Sequence, residues 1–243
     1  MILTRRNLLV AGAAGLLTGC DQFTDSPVLA SAEDAHRFLQ RSIGRGSLAT
    51  EFRPEQRSPI FRVNGTHNPN TPEYNIWAGT RFADWRLDVR GMVARPMQLS
   101  LAQLQAMPQR AQITRHDCVE GWSAIGKWQG PQLGTLLNAA GISSRARYIV
   151  FRCADQYGDG GYYESIDLID AFHPQTILAW ALNDRALDVG HGAPLRLRVE
   201  RQLGYKHAKY LTGIEAVASL AGIGKGKGGT WEDSSGYQWY AGI

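Results

Sequence analysis

The sequence predicts an α+β fold with mixed β-sheets and short helices. Three observations lead there. The 243 residues are 44% hydrophobic and 20% charged, enough to bury a sizeable core and too apolar for global disorder. The counts of Gly 27, Pro 10, Trp 7 and Tyr 9 favour a turn-rich, strand-rich chain over a helical bundle. Short strand-like and helix-like segments follow one another in no βαβ rhythm, with no internal repeat and no second domain's worth of sequence.

The chain opens on an address. Thr4-Arg5-Arg6-Asn7-Leu8-Leu9 is a twin-arginine start, and the apolar run from Leu8 to Gly19 is too short for a permanent membrane span. Leu17-Thr18-Gly19-Cys20 resembles a lipobox, so a signal peptide over 1–19 and a lipid anchor on Cys20 are expected. An uncleaved N-terminal anchor is the alternative. Cleavage removes Arg5 and Arg6 and no acid, which lowers the net charge from +4 to +2. The expected location is the periplasmic side of a bacterial membrane. Twin-arginine export carries folded proteins, which favours a cofactor inserted before export.

Residues 20–43 read as a polar tether followed by a short helix, with Ala35, Phe38, Leu39 and Ile43 at helical spacing. A single folded domain follows over 44–243. Residues 44–80, rich in Gly, Pro, Asn and Thr, predict a surface wrap. Trp85 to Val89 alternates as a strand ending at Gly91, and Leu101 to Met107 is a short helix before Pro108. Gln112 to Cys118 is extended. Pro131 to Ala140 is a helix with Pro at its start and Gly141 at its end. Arg147 to Ala154 and Tyr162 to Ile166 are strands. Leu195 to Val199 alternates strictly, and Ile214 to Ala218 closes the pattern. The Gly/Lys-rich stretch 222–230 lacks a following helix and a Lys-Ser/Thr ending, so no phosphate loop is expected there.

A net charge of +4 is too mild to point to nucleic acid. Three cysteines, with no CxxC, build no disulfide framework and no zinc ribbon. Cys118 stands out, in Arg115-His116-Asp117-Cys118-Val119-Glu120-Gly121-Trp122-Ser123, where an extended segment runs into a polar turn. A thiol beside Arg115 and His116 can be held as thiolate, the form that attacks or binds metal. A buried free Cys is the bland alternative. Cys153 alternates with Ile149 and Phe151 and reads as core, although a disulfide to Cys118 stays open. From His191 to Lys209 five Lys/Arg and two His stand against one acid, Glu200. This is either a solvated basic face or a cradle for an anion such as phosphate.

RHDCVEGWSAIGKWQG, YYESIDLIDAFHPQTILAWALND, HGAPLRLRVERQLGYKHAKYLTGIEAV and the closing WEDSSGYQWYAGI resemble the molybdopterin-dependent sulfite-oxidase-like family, from about Phe61 to Ile243. The resemblance implies a single molybdopterin-binding domain over 44–243 and a molybdenum cofactor with one pyranopterin. It implies that Cys118 is the protein's thiolate ligand to molybdenum, a soft donor suited to that metal. Tyr162 matches a tyrosine lining the metal pocket, with Tyr163 one step away. His191 and Arg196 match positions that hold the pterin and its phosphate. Lys206, His207 and Lys209 match the second half of that cradle, Asn64 an N-terminal loop position, and Cys153 a position that touches the cofactor.

Sulfite oxidases follow their cysteine with Gly-Asn and paired arginines. Here Glu120 and Trp122 stand instead, a carboxylate and an apolar ring that suit an uncharged substrate. Cys-Val-Glu-x-Trp-Ser resembles the periplasmic methionine-sulfoxide-reductase-type branch. The expected activity is two-electron oxygen-atom transfer, reducing a neutral S-oxide or N-oxide. Electrons would come from a membrane cytochrome or quinol-linked partner, since no haem motif accompanies the domain. Sulfite-type oxidation by the same cofactor, a metal-free Cys/His thiol enzyme and a non-catalytic lipoprotein binding module are the alternatives.

Overall fold

The computed structural model describes residues 45–158 and 160–243. The leader expected over 1–19 and the tether and helix expected over 20–43 lie outside the described residues. Helix α1 (Pro72–Gly79) starts on Thr71, whose Oγ1 accepts from Tyr74 N at 3.3 Å, with Pro72 in the first turn. The composition of 44–80 hides this helix, but its Thr-Pro-Glu start is a helix signal. Buried Tyr74 ties it down by donating its hydroxyl to Ala193 O at 2.8 Å.

β1 (Arg86–Gly91) pairs antiparallel with β2 (Met97–Ser100). Ser100 then caps α2 (Leu101–Ala106) reciprocally with Gln103. The long hairpin of β3 (Gln109–Cys118) and β4 (Trp122–Pro131) is in register from Gln109↔Pro131 to Cys118↔Trp122. α3 (Leu133–Ala140) follows and ends on Gly141 in the left-handed region. Pro131, expected to open this helix, is the last residue of β4, and Gln132 separates the two.

β5 (Tyr148–Tyr157) and β6 (Gly160–Asp167) pair antiparallel, and α4 (Leu168–Ala171) leads on to β7 (Ile177–Ala179). β8 (Ala181–Leu182) and β9 (Arg185–Ala186) extend the hairpin sheet, and β10 (Arg196–Arg198) pairs with β7. β11 (Leu211–Val217) runs parallel to β1 and antiparallel to β5. The result is a five-stranded sheet in the order β2-β1-β11-β5-β6, a four-stranded sheet β3-β4-β8-β9 and the pair β10-β7. Helix α5 (Thr230–Ser235) does follow the Gly/Lys-rich stretch, contrary to expectation. No phosphate loop results, because the amides of Lys225 and Lys227 already donate to the Asp233 carboxylate.

The main core joins α2, α3 and the inner faces of β1, β5 and β11 around Trp85, Leu87, Leu104, Leu136, Phe151 and Ile214. Each such side chain contributes about 1.5–3 kcal/mol on burial. A smaller cluster gathers Trp128, Ile177, Ala179, Leu182 and Leu187. β10 sits between the two, and its alternation misleads. Leu197 enters the main core, yet Arg196 and Arg198 on the other face are fully buried too. Both guanidiniums lie over the Trp128 ring, at 5.0 and 4.3 Å from its centroid. The basic run is therefore no solvated face: Arg196, Arg198, Lys206, His207 and Lys209 are all buried. Among the described residues no helix is long and apolar enough to cross a membrane.

Candidate active site

The β3–β4 hairpin turns in three residues, Val119-Glu120-Gly121. Gly121 takes φ +83°, a conformation other residues adopt only with strain, and its amide donates to Cys118 O at 3.0 Å. This turn sets Cys118 on the floor of a cleft, 9% exposed. The cleft holds about 740 Å³ of space open to solvent on one side. Asn64, Gly65, Thr66, Glu120, Asp155, Tyr162, His207 and Lys209 line it, with a wall of aromatic rings at its mouth.

Alternation along β3 puts His116 on the buried face with Cys118 and sends Arg115 outward to an ion pair with Asp117 at 2.9 Å. Arg115 is thus no partner for the thiol. His116 is no cation either. Burial, then the charges of Arg198, Arg196 and Lys209, hold it well below the ordinary imidazole value. Its Nδ1 accepts from Arg198 Nη1 at 2.8 Å. Burial likewise raises the Cys118 thiol, against the pull of Arg196 and Lys209. The protein alone keeps this sulfur protonated, so a thiolate here calls for a metal ion's charge. Cys118 and Cys153 are free cysteines, so the disulfide left open by the sequence does not form.

One side of the cleft is the loop Asn64-Gly65-Thr66. Lys209 Nζ gathers it, donating to Asn64 O at 2.7 Å, Thr66 O at 2.5 Å and Gly190 O at 2.8 Å. Burial, then Arg196, pushes Lys209 down to about 7. Glu120 pins the loop from above: Oε1 accepts from Gly65 N at 3.1 Å and Oε2 from Trp122 Nε1 at 3.1 Å. These two hydrogen bonds hold the Glu120 carboxyl below its ordinary value, so the cleft carries a carboxylate. Trp122 itself does not line the cleft. Its ring packs instead on Phe61 and His116, with centroids 6.1 and 5.5 Å away.

His191 bridges the HGAPLR loop to the rest, its Nδ1 2.8 Å from Asp188 Oδ1 and its Nε2 3.0 Å from Phe61 O. Arg196 Nη1 donates to His191 O at 3.0 Å, while its Nε and Nη2 are buried without a protein partner. Burial and the neighbouring Arg198 push Arg196 down to about 9. His207 is buried at the cleft with Nε2 3.0 Å from Gln202 O and Nδ1 unpartnered.

Besides Trp122, two residues expected at the site point elsewhere. Lys206 is spent on Glu164 and Glu232, whose buried carboxylates both accept from its Nζ. Cys153 faces the main core, as its alternation with Ile149 and Phe151 dictates. Tyr163 faces away from the cleft and donates to Asp233 Oδ2 at 2.5 Å, whereas Tyr162 lines the cleft and donates to Tyr205 O at 3.1 Å. Asp155 is the polar residue the sequence reading missed. It lies two places beyond Cys153 in β5 and continues the buried alternation of Phe151 and Cys153, a place where a lone acid carries no motif to mark it. It is 4% exposed, its Oδ1 has no protein partner, and burial pushes it up to about 6 against a hydrogen bond from Thr66.

Residues 74–221 match the model of the oxidoreductase molybdopterin binding domain. The chain is 37% identical over 240 residues to a putative protein-methionine-sulfoxide reductase subunit of Azospira oryzae, covering 96% of this chain and 84% of the relative. It is 29% identical over 235 residues to the protein-methionine-sulfoxide reductase catalytic subunit MsrP of Campylobacter jejuni, covering 87% and 72%. Among solved structures, the sulfane dehydrogenase SoxCD of Paracoccus pantotrophus superposes with a TM-score of 0.51 at 21% identity. That match spans 56% of this chain and 39% of the other, a likeness of fold alone. With a domain model spanning most of the folded part and curated relatives along nearly its whole length, the chain belongs to the sulfite-oxidase-like family of molybdopterin-binding oxidoreductases, near the MsrP proteins.

Proposed function

We propose that the cleft holds a molybdenum-carrying pyranopterin, and that the protein reduces neutral sulfoxides, methionine sulfoxide foremost. The observation that carries this is one thiol at the cleft floor beside buried polar atoms without partners. Arg196 Nε and Nη2, His207 Nδ1 and Asp155 Oδ1 are all buried and unpartnered; His207 and Asp155 line the cleft, and Arg196 is near enough to pull on the Cys118 thiol. A pyranopterin carries both a phosphate, which takes guanidinium donors, and an N–H edge, which takes a carboxylate. Buried groups of this kind are costly unless a ligand satisfies them. Among the described residues no group of three or more His, Cys, Asp or Glu is placed to hold a metal ion, so most of the ion's ligands would come with the cofactor and Cys118 would add a thiolate. The residues fit the cofactor.

In this reading Cys118 binds molybdenum, and Arg196, His207, Lys209 and Asn64 shape the cradle, with His191 holding its loop in place. When bound, the cofactor supplies two-electron oxygen-atom exchange at a metal. Tyr162 presents its hydroxyl at the cleft, and Asp155 holds a proton at its carboxyl up to about pH 6. Glu120 decides substrate charge. Like charges about 5 Å apart cost on the order of 3 kcal/mol at an effective dielectric near 20, which disfavours a sulfite dianion. Two cations near Glu120 in sequence are engaged elsewhere, Arg115 with Asp117 and Lys127 with Asp184 at 2.5 Å, and Lys209 in the cleft is held by three carbonyls.

The names of the Azospira and Campylobacter relatives support the sulfoxide reading. In this reading a membrane cytochrome or quinol-linked protein supplies the electrons, and the twin-arginine and Cys20 features support a lipoprotein on the periplasmic side. The test is reduced-viologen oxidation with methionine sulfoxide by wild type and Cys118→Ser. Serine offers a harder, weaker ligand. The expected result is loss of turnover at an unchanged melting temperature; full turnover by the serine variant overturns the assignment of Cys118.

A further inference from the structure

The chain enters the folded domain at a fixed place. His173 Nε2 lies 3.1 Å from Ser47 O. Ala49 N donates to Gln175 Oε1 at 2.7 Å, and Gln175 Nε2 donates back to Ala49 O at 3.0 Å. Phe52 N then donates to Ile113 O at 2.8 Å. The entry therefore lies beside α4, which runs directly into His173. Large apolar side chains stand in water here: Leu48 is 59% exposed, Ile169 55% and Phe172 40%. Ile169 and Phe172 are three places apart, which puts them on one side of the turn. Gly134 of α3 seats the Phe172 ring, since a Cβ there would come within 2.9 Å of its Cδ1. The ring is held from below and open above.

Exposed Val119, Tyr157 and Tyr237 line the cleft, but Leu48, Ile169 and Phe172 do not. Grouped apolar side chains left in water mark a contact surface. The tether says what covers this one. With an acyl group on Cys20, the 25 residues 21–45 separate the lipid from the domain. A flexible chain of that length typically spans about 25–30 Å, and helical turns shorten it. A domain of this size is about 40 Å across. The tether is thus shorter than the domain is wide, and the entry face is the one that the anchor keeps at the bilayer, at high effective concentration. Charge does not compete with this. Arg110 is paired with Glu51, Asp170 accepts from Gln202 Nε2 at 2.5 Å, and Arg201 and the helix-capping Asp167 add one charge of each sign.

We propose that Leu48, Ile169 and Phe172 form a lipid-contacting face that seats the domain in the surface of a phospholipid bilayer and sets its orientation there. This rests on the lipoprotein part of the proposed function. Side chains of this kind bury into the boundary between headgroups and acyl chains, and mixed charge around them makes the contact apolar in origin and weakly dependent on salt.

The test is flotation of the molybdenum-loaded chain from residue 20 onward, carrying Cys20→Ser, with vesicles of phosphatidylethanolamine and phosphatidylglycerol at low and high salt. Ile169→Glu and Phe172→Glu are compared with Ile76→Glu, a control on α1 where the side chain is also exposed. The partition coefficient is expected to fall about tenfold in each face variant, the scale of one half-buried apolar side chain lost from lipid, at both salt concentrations. The control is expected to stay within about twofold of the parent. Phe172 packs on Gly134, so if Phe172→Glu lowers the melting temperature, the more exposed Ile169→Glu decides. No flotation of the parent chain, flotation abolished by salt, unchanged partition of the face variants, or an equal fall in the control overturns the proposal. Because the tested chain has no acyl group, failure of the anchor reading gives a different result: mass spectrometry of the exported protein then shows Cys20 unmodified, while flotation of the Cys20→Ser chain and its loss in Ile169→Glu still support the face.

Discussion

Asp155 is where burial and chemistry conflict most openly. A carboxyl at 4% exposure with one unpartnered oxygen is held up to about 6, from an ordinary 3.8. A raised carboxyl favours folding only while protonated. Its contribution is present below about pH 4 and is lost as pH rises through about 6. Thr66 and Lys209 lower the value, and they do not cancel the burial. Asparagine keeps the shape and removes the charge. Cofactor-free Asp155→Asn should therefore gain melting temperature over wild type at pH 8, with the gain shrinking at pH 5. Thermal melts at both values check this, and a gain independent of pH contradicts it. Nothing in RYIVFRCADQY marks Asp155 as special. Its role depends on which strand end meets the 64–66 loop, and that contact spans about ninety residues of sequence.

At the scale of elements, three pieces meet on Lys206. Glu164 belongs to β6, Glu232 to α5, and Lys206 to the turn after β10. All three side chains are essentially excluded from water. Burial pushes Glu164 up while Lys206 pulls it down, and burial wins. Removing the lysine leaves the buried Glu164–Glu232 pair without its cation, at a cost of about 3–5 kcal/mol. Lys206→Met is expected to lose that much in denaturant unfolding. Lys206→Met with Glu164→Gln should recover part of it. No loss would mean that the pair is not formed. The GYKHAK motif gave no hint of this division of labour, since a lysine reads the same whether it meets phosphate or glutamate. Other elements were equally uneven. β3 was legible because Thr114, His116 and Cys118 share a face beside outward Arg115 and Asp117. β4 was not, because its alternating buried positions are Ala124, Gly126, Trp128 and Gly130, and three of those four are too small to show an alternation. The β10 arginines, left open between a solvated face and an anion cradle, are buried over the Trp128 ring, a contact from a distant strand.

Over the whole molecule, the site draws on residues 61–66, 118–122, 155–162, 191–209 and 231–237. Each segment supplies one function: a loop held by Lys209, a thiol on a tight hairpin, an acid and a tyrosine at a strand pair, buried cations, and an aromatic mouth. The motifs of the family were readable as strings, and Cys118, Glu120, Tyr162, His207, Lys209 and Asn64 do converge on one cleft. The apolar wall expected from Trp122 comes instead from Trp231 and Tyr237, which only the fold brings near. The charge of the cleft mouth is the central physical feature, because it separates a neutral oxide from a dianion. The most direct measurement is kcat/KM for methionine sulfoxide reduction against kcat/KM for sulfite oxidation, on one batch of molybdenum-loaded enzyme. The sulfoxide is expected to be favoured by about a hundredfold or more, the scale of the Glu120 repulsion. Efficient sulfite oxidation with no reduction of any sulfoxide would contradict it.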